Sequence, residues 1–368
     1  MEEKIVNMPL GGAILTPHKG RYDALDGLRA LACIGIVLMH VLENIVIKPS
    51  DCFLTTNVIS FTGDFVLLFM MVSAFGLCCG YYNKFREGTI KPDVFYRKRY
   101  QRVLPFFTLL TAIDVIICFA SEHFKLSDTF LGELWEAFAN CTLAFGLIPS
   151  HHNIEVVGVG WFLGVIFLFY MLFPFFIFLM ENQKRAWFST FVVVGLYMSV
   201  MYYFAPTKGV VFCNASFIYS APFFMVGGLV YLYRETITNM LSITWAKLAV
   251  TAVTIGYTTW FFVYPEQRFE LANIVLYSLW LSYAIGEVTT NRKWTILNNR
   301  IVAFISEISM EIYLSHMFVF RAVEKCHIEK YVNNNDIYYW LTCVMVLLGA
   351  MVFSIAWKRI EKSYILNQ

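Results

Sequence analysis

Charge is what this chain has least of. Only 15% of its 368 residues are Asp, Glu, Lys or Arg, against about 25% in a soluble domain. Hydrophobic residues make up 58% and mean hydropathy is +0.61. That balance excludes a soluble enzyme, a disordered chain and a collagen-like one. The formal net charge of +2 is too small for a nucleic-acid-binding surface, so no nucleic acid partner is expected. There is no CxxC or HExxH spacing, and no metal site is expected. There is no GxSxG elbow and no Walker motif, which sets aside serine hydrolases and P-loop enzymes in their usual forms. No internal repeat or low-complexity tract is evident. Residues 1–20 are polar and carry no apolar signal-peptide core.

What the chain has instead is a series of long apolar runs, rich in Phe (35), Tyr (21) and Trp (9). A membrane-crossing helix needs about 20 mostly apolar residues. Ten stretches meet that length: 28–47, 61–80, 104–121, 160–180, 187–205, 215–233, 245–264, 270–287, 301–321 and 337–357. The runs are continuous rather than alternating, so helices and not barrel strands are expected. The predicted fold is all-α: a polytopic membrane bundle of about ten transmembrane helices plus one amphipathic interfacial helix. The latter is read over 131–148, where Leu131, Leu134, Trp135, Phe138, Cys141, Phe145 and Ile148 recur at helical spacing opposite Glu133, Glu136 and Asn140. The predicted organisation is a leader over 1–27, a transmembrane domain over 28–357 and a tail over 358–368. With the N-terminus inside, 21 of the 28 Lys and Arg residues fall on the cytoplasmic side. That bias predicts a multi-pass protein of the cell (inner) membrane, in contact with its lipids, with both termini cytoplasmic. Cys52, Cys141, Cys213 and Cys326 all fall on the expected outer side, where disulfides would be permitted.

Ionisable residues inside a bilayer are costly, and each is a candidate for function. The first span opens with Asp26 and Arg29, which share a helix face and can pair. His40 follows on the same face, eleven residues on, or about 16 Å along the helix at 1.5 Å per residue. Glu43 is placed to orient its imidazole. The structural alternative is a snorkelling arginine and a hydrogen-bonded core histidine. A second cluster, Arg97, Lys98, Arg99 and Arg102, precedes the third span on the expected inner side. Part of it is topology signal, but guanidinium forks at Arg99 and Arg102 suit a phosphorylated ligand such as coenzyme A. A third cluster, Ser309, Glu311, Tyr313, Ser315 and His316, lies in the ninth span, and a network that only holds helices together is the competing reading. Asp64, at the outer end of the second span, can join either.

These residues carry a resemblance. The stretch Arg21–Ala30 with His40 resembles the opening of the acyltransferase 3 family, integral-membrane enzymes that O-acetylate surface glycans. The basic stretch Tyr96–Pro105 is similar to that family's Arg-x-x-Arg motif, here Arg99 and Arg102. Trp161 with Tyr170 and Pro174, and Ser309 through Tyr313 and His316, resemble its fourth-span and late motifs. The resemblance implies an O-acyltransferase with acetyl-CoA, or another acyl-CoA, as co-substrate. The acceptor implied is an external surface polysaccharide or lipid-linked oligosaccharide. Together with the reading of the residues themselves, it leads to these expected roles. Arg97, Arg99 and Arg102 bind the donor. His40, Arg29, Asp26, Glu43 and His316 form the catalytic group, His40 acting as base or transient acyl carrier. Asp64, Trp161, Tyr170, Ser309, Glu311 and Tyr313 bind substrate. One position departs: many members carry Glu five residues after the fourth-span Trp, where this chain has Ile166. The rival readings are a transporter or flippase for a glycan or small anion, which shares the buried charges, and a membrane sensor or scaffold. Two further signals are set aside. His18 and Asp23 match the HxxxxD spacing of glycerolipid acyltransferases by chance, and His151–His152 reads as solvated.

Overall fold

The structure is a computed structural model in which residues 22–143, 145–147, 158–204, 216–287 and 295–364 are described. Cys213, the pair His151–His152, His18 and most of the leader lie outside the described residues. Among the described residues the chain is all helical, with no strand.

The first helix, α1 (Asp23–Asn44), is the centre of the molecule. The chain then turns through an irregular stretch, a π turn at Leu54–Val58 and a 3-10 turn at Ile59–Asp64, into α2 (Phe65–Arg86). Such tight and wide turns at a helix start often mark functional positions. The stretch is locked to α1 by the Thr62 hydroxyl, which donates to the Gly35 carbonyl at 2.6 Å. Gly88, at φ +65°, lets the chain reverse into α3 (Pro92–Ser121). Next come α4 (Asp128–Thr142), α5 (Trp161–Met180) and α6 (Gln183–Ser199). They are followed by α7 (Phe217–Leu232), α8 (Arg234–Ser242), α9 (Thr244–Val263) and α10 (Ala272–Glu287). The chain closes with α11 (Arg300–Glu307), α12 (Ser309–Glu324) and α13 (Asn335–Tyr364).

Helix α1 packs against α2, α10, α11, α12 and α13, and α2 packs most extensively on α7. The second contact is very close: a Cβ on Gly227 of α7 would lie 2.3 Å from the Met71 carbonyl oxygen. Glycine there removes the side chain that would hold the backbones apart. The outward faces of α6 and α9 expose Phe188, Phe191, Leu248 and Val253, as suits helices bordered by lipid rather than by water. Pro105, Pro174 and Pro222 lie inside helices, which neighbouring elements make tolerable in membrane bundles.

The expected count of about ten spans is not confirmed. Among the described residues, seven helical stretches are long and apolar enough to cross a membrane, or eight if α11 and α12 count together. The stretch expected at 215–233 forms α7, of 16 residues, or about 24 Å long, which is short of the ~30 Å hydrocarbon core. The stretch expected at 270–287 forms α10, which the described residues follow to Glu287. The ninth expected span, 301–321, is not one helix. It bends by 71° between α11 and α12, because Ile308 leaves helical geometry at φ −106°, ψ 11°. The expected tail also begins inside α13, which continues to Tyr364.

The amphipathic reading of 131–148 corresponds to α4 and a 3-10 turn at Phe145–Leu147. Ser127 caps α4 by accepting from the Phe130 amide. Leu131, Leu134, Trp135 and Phe138 are exposed, which leaves an apolar face for a membrane interface. Asn140 and Phe145 depart from the expected pattern, both being buried. Asn140 turns inward and donates to the Glu136 carbonyl.

Candidate active site

The end of α1, the irregular turn before α2, the start of α5 and the loop after α9 enclose a cavity of about 430 Å³. His40, Glu43, Asp64, Trp161 and Tyr313 line it, so residues far apart in the chain meet at one place. The His40 side chain is 23% exposed, and its Nδ1 lies 3.9 Å from Glu43 Oε2. Its ring is therefore within reach of the cavity and not directed at lipid. The Asp64 carboxylate accepts from Asn273 Nδ2 at 3.1 Å, and its carbonyl accepts from the Tyr277 hydroxyl at 3.0 Å. The Tyr313 hydroxyl donates to the Val159 carbonyl at 2.8 Å, tying α12 to the chain just ahead of Trp161.

His316 sits behind His40, with ring centroids 5.2 Å apart. It is fully buried and does not line the cavity. Its Nδ1 is 2.6 Å from the Tyr313 carbonyl oxygen. That contact assigns the proton to Nδ1, and Nε2 has no hydrogen-bond partner. His316 is thus placed to set the position of the His40 ring rather than to meet a substrate.

At the opposite end of α1, Asp26 is buried and accepts from the Ser306 hydroxyl at 2.8 Å. Arg29 Nη1 lies 3.8 Å from Asp26. Gly27 makes this arrangement possible, since a Cβ there would meet the Leu297 backbone at 2.3 Å. Arg29 reaches across α2, where a Cβ on Gly76 would be 3.1 Å from its Nη2. Arg99 Nη2 donates to the Tyr81 hydroxyl at 2.9 Å. Its guanidinium stands 5.2, 5.8 and 5.9 Å from the rings of Tyr81, Phe95 and Tyr170. Three rings around one cation fix its direction. Arg29 and Arg99 both approach α2, at Gly76 and at Tyr81, so arginines from α1 and α3 come to the same helix. Arg97 and Arg102 are exposed.

Not every expected residue joins one of these two ends as anticipated. Tyr170 belongs to the basic end, not to the cavity. Ser309 donates to the Ser306 carbonyl at 2.9 Å and accepts at its own carbonyl from the Cys33 thiol. Glu311 is fully buried and pairs with Lys358 of α13 at 2.7 Å. Neither lines the cavity; both hold the bend at Ile308 in place. Ile166 is buried in the apolar core. Cys52, Cys141 and Cys326 are free thiols.

Sequence reasoning missed Arg268, Tyr219, Asn57 and Ser60, all of which line the cavity. A signal existed for two of them: residues 55–60 are unusually polar for a stretch leading straight into an apolar run. None of Arg29, Arg99 and Arg102 lines the cavity. Between Arg29 and His40 the shared face of α1 is filled by Cys33 and Ile36, both buried.

An imidazole at a half-open cavity of mixed polar and apolar lining, with a carboxylate beside it, can take a proton from a hydroxyl. Clustered guanidinium groups held by aromatic rings can hold phosphates. Residues 22–355 match the acyltransferase 3 family, described as an acyltransferase domain. The chain belongs to that family, and its described residues include several helices apolar enough for a multi-pass membrane protein. A curated relative, "Protein 2 in picA locus" of Rhizobium radiobacter, is 31% identical over 93 residues. The aligned stretch covers 25% of this chain and 44% of that relative. No solved structure matches the chain.

Proposed function

We propose that this protein moves an acyl group, acetyl in the first instance, from acyl-CoA held at the basic end to a glycan hydroxyl in the His40 cavity. The observation that carries the reading is the separation of two chemistries along α1. Arg29 and Arg99 meet α2 at one end, with Arg102 one turn further along α3; His40, Glu43 and Asp64 open into the cavity at the other. The excess of positive residues at the basic end supports a cytoplasmic position for that end and for both termini, with the bundle in the cell membrane. The acceptor is then a surface polysaccharide or lipid-linked oligosaccharide presented from outside.

His40 takes the proton of the acceptor hydroxyl as its oxygen attacks the thioester carbonyl carbon. The C–O bond forms, the C–S bond breaks, and the departing sulfur takes the proton back from the imidazolium. A general base contributes about 10²–10⁴-fold in rate. Glu43 stabilises the imidazolium from 3.9 Å, and His316 holds the ring from behind. Arg99 and Arg102, with Arg97, bind the phosphates of the donor. Asp26 keeps Arg29 oriented toward them through the bond from Ser306.

The test uses purified protein in lipid nanodiscs with labelled acetyl-CoA and a glycan acceptor. His40→Ala should lose transfer while still binding coenzyme A. Arg99→Ala combined with Arg102→Ala should lose coenzyme A binding itself. Undiminished transfer by His40→Ala would refute the mechanism.

A further inference from the structure

The cavity is also lined by residues that the mechanism does not use. Arg268 comes from the loop after α9, Asn57 from the turn before α2, and Tyr219 from the first turn of α7. Arg268 is held unusually firmly. Its Nε donates to the Phe261 carbonyl at 2.8 Å, and its guanidinium lies 4.2 Å from the Phe261 ring and 4.7 Å from the Phe61 ring. Its Nη2 is buried with no hydrogen-bond partner. A polar group left in that state is costly until a ligand oxygen satisfies it. Asp64 is held by Asn273 through one carboxylate oxygen. It interacts with Arg268 electrostatically, without a direct ion pair.

A fixed donor and a fixed acceptor therefore share one cavity, beside the aromatic side chains of Phe61, Trp161 and Tyr219. A sugar ring needs this combination: carboxylate and guanidinium for its hydroxyls, aromatic surface for its C–H faces. Charge narrows the choice. Two carboxylates, Glu43 and Asp64, line the cavity against one guanidinium, so an acceptor bringing its own carboxylate or phosphate would be repelled.

We propose that this cavity, which His40 also lines, is a subsite for an uncharged, hydroxyl-rich sugar ring, with Asp64 and Arg268 reading neighbouring hydroxyls. The inference rests on the acyl-transfer reading above and adds the class of acceptor and the residues that select it. Because Arg268 is clamped by Phe61 and Phe261, it is a specificity-determining residue and takes no part in the proton transfer.

The experiment compares labelled acetyl transfer to methyl glucoside, methyl galactoside and methyl N-acetylglucosaminide with transfer to methyl glucuronide and methyl galacturonide. Coenzyme A binding, measured alongside, reports on the intact basic end. At least one neutral glycoside should react about tenfold faster than the uronides, a difference of about 1.4 kcal/mol. Arg268→Gln and Asp64→Asn should each raise the acceptor KM about tenfold, with kcat little changed and coenzyme A binding unaltered. Arg268→Lys, which keeps the charge without the planar fork, should fall between. Faster transfer to a uronide, an unchanged acceptor KM in both variants, or no transfer to any neutral glycoside by protein that binds coenzyme A would each overturn the proposal. Wild-type protein that binds no coenzyme A would instead remove the acyl-transfer reading, and this inference with it.

Discussion

Lys358→Met tests the packing that holds the bent end of the bundle. Lys358 lies in α13, 2.7 Å from Glu311 in the first turn of α12 and 2.9 Å from Glu361. The Glu311 side chain is 1% exposed and that of Lys358 14%. Removing the lysine leaves a carboxylate shut away from water with no cation, which costs about 3–5 kcal/mol. Removing both charges together avoids most of that penalty, since an apolar or neutral replacement of a buried pair is often close to neutral. The double variant Glu311→Gln with Lys358→Met should therefore regain stability to within about 1–2 kcal/mol of the native protein. Glu361 is the outer partner, at 17% side-chain exposure, and Glu361→Gln should cost less than about 1 kcal/mol. Denaturant and thermal unfolding in detergent micelles give all four values. A loss below about 1 kcal/mol in Lys358→Met, or no recovery in the double variant, would refute the claim that this pair carries the α12–α13 junction.

Three further outcomes follow from the packing. Gly227→Leu should force α2 and α7 apart at Met71 and destabilise the protein by about 1–3 kcal/mol or more, read as a lowered unfolding midpoint in the same assay. Tyr313→Phe removes the bond to the Val159 carbonyl; it should cost about 0.5–1.5 kcal/mol and lower transfer with little effect on coenzyme A binding. Arg99→Lys loses the planar group that three rings enclose, and coenzyme A binding measured by calorimetry should weaken about tenfold.

Much of the candidate site can be read along the chain because it depends on periodicity within single elements. Arg29 and His40 share a face by helical register alone, and Asp26 falls beside Arg29 for the same reason. The grouping of Arg99 with Arg102 on α3 is likewise local. Residues that reach their place only through tertiary packing were not legible. Arg268 sits in a loop that resembles any other short polar connection until Phe61 and Phe261 close around it. Glu311 reads as an intramembrane acid, and only the return of α13 reveals Lys358 as its partner. Hydropathy also conceals the break at Ile308, an apolar residue in an apolar run. The break is stabilised by hydroxyls: Ser306 donates to Asp26, and Ser309 donates back to the Ser306 carbonyl.

The filled stretch of α1 has an electrical consequence. With Ile36 and Cys33 buried between the arginine end and the histidine end, that face of α1 is apolar packing, along which a hydrated ion is costly to place. If the bundle spans a membrane as proposed, such packing sets a barrier to leakage beside the helix, and the donor's thin arm would have to pass it to reach His40.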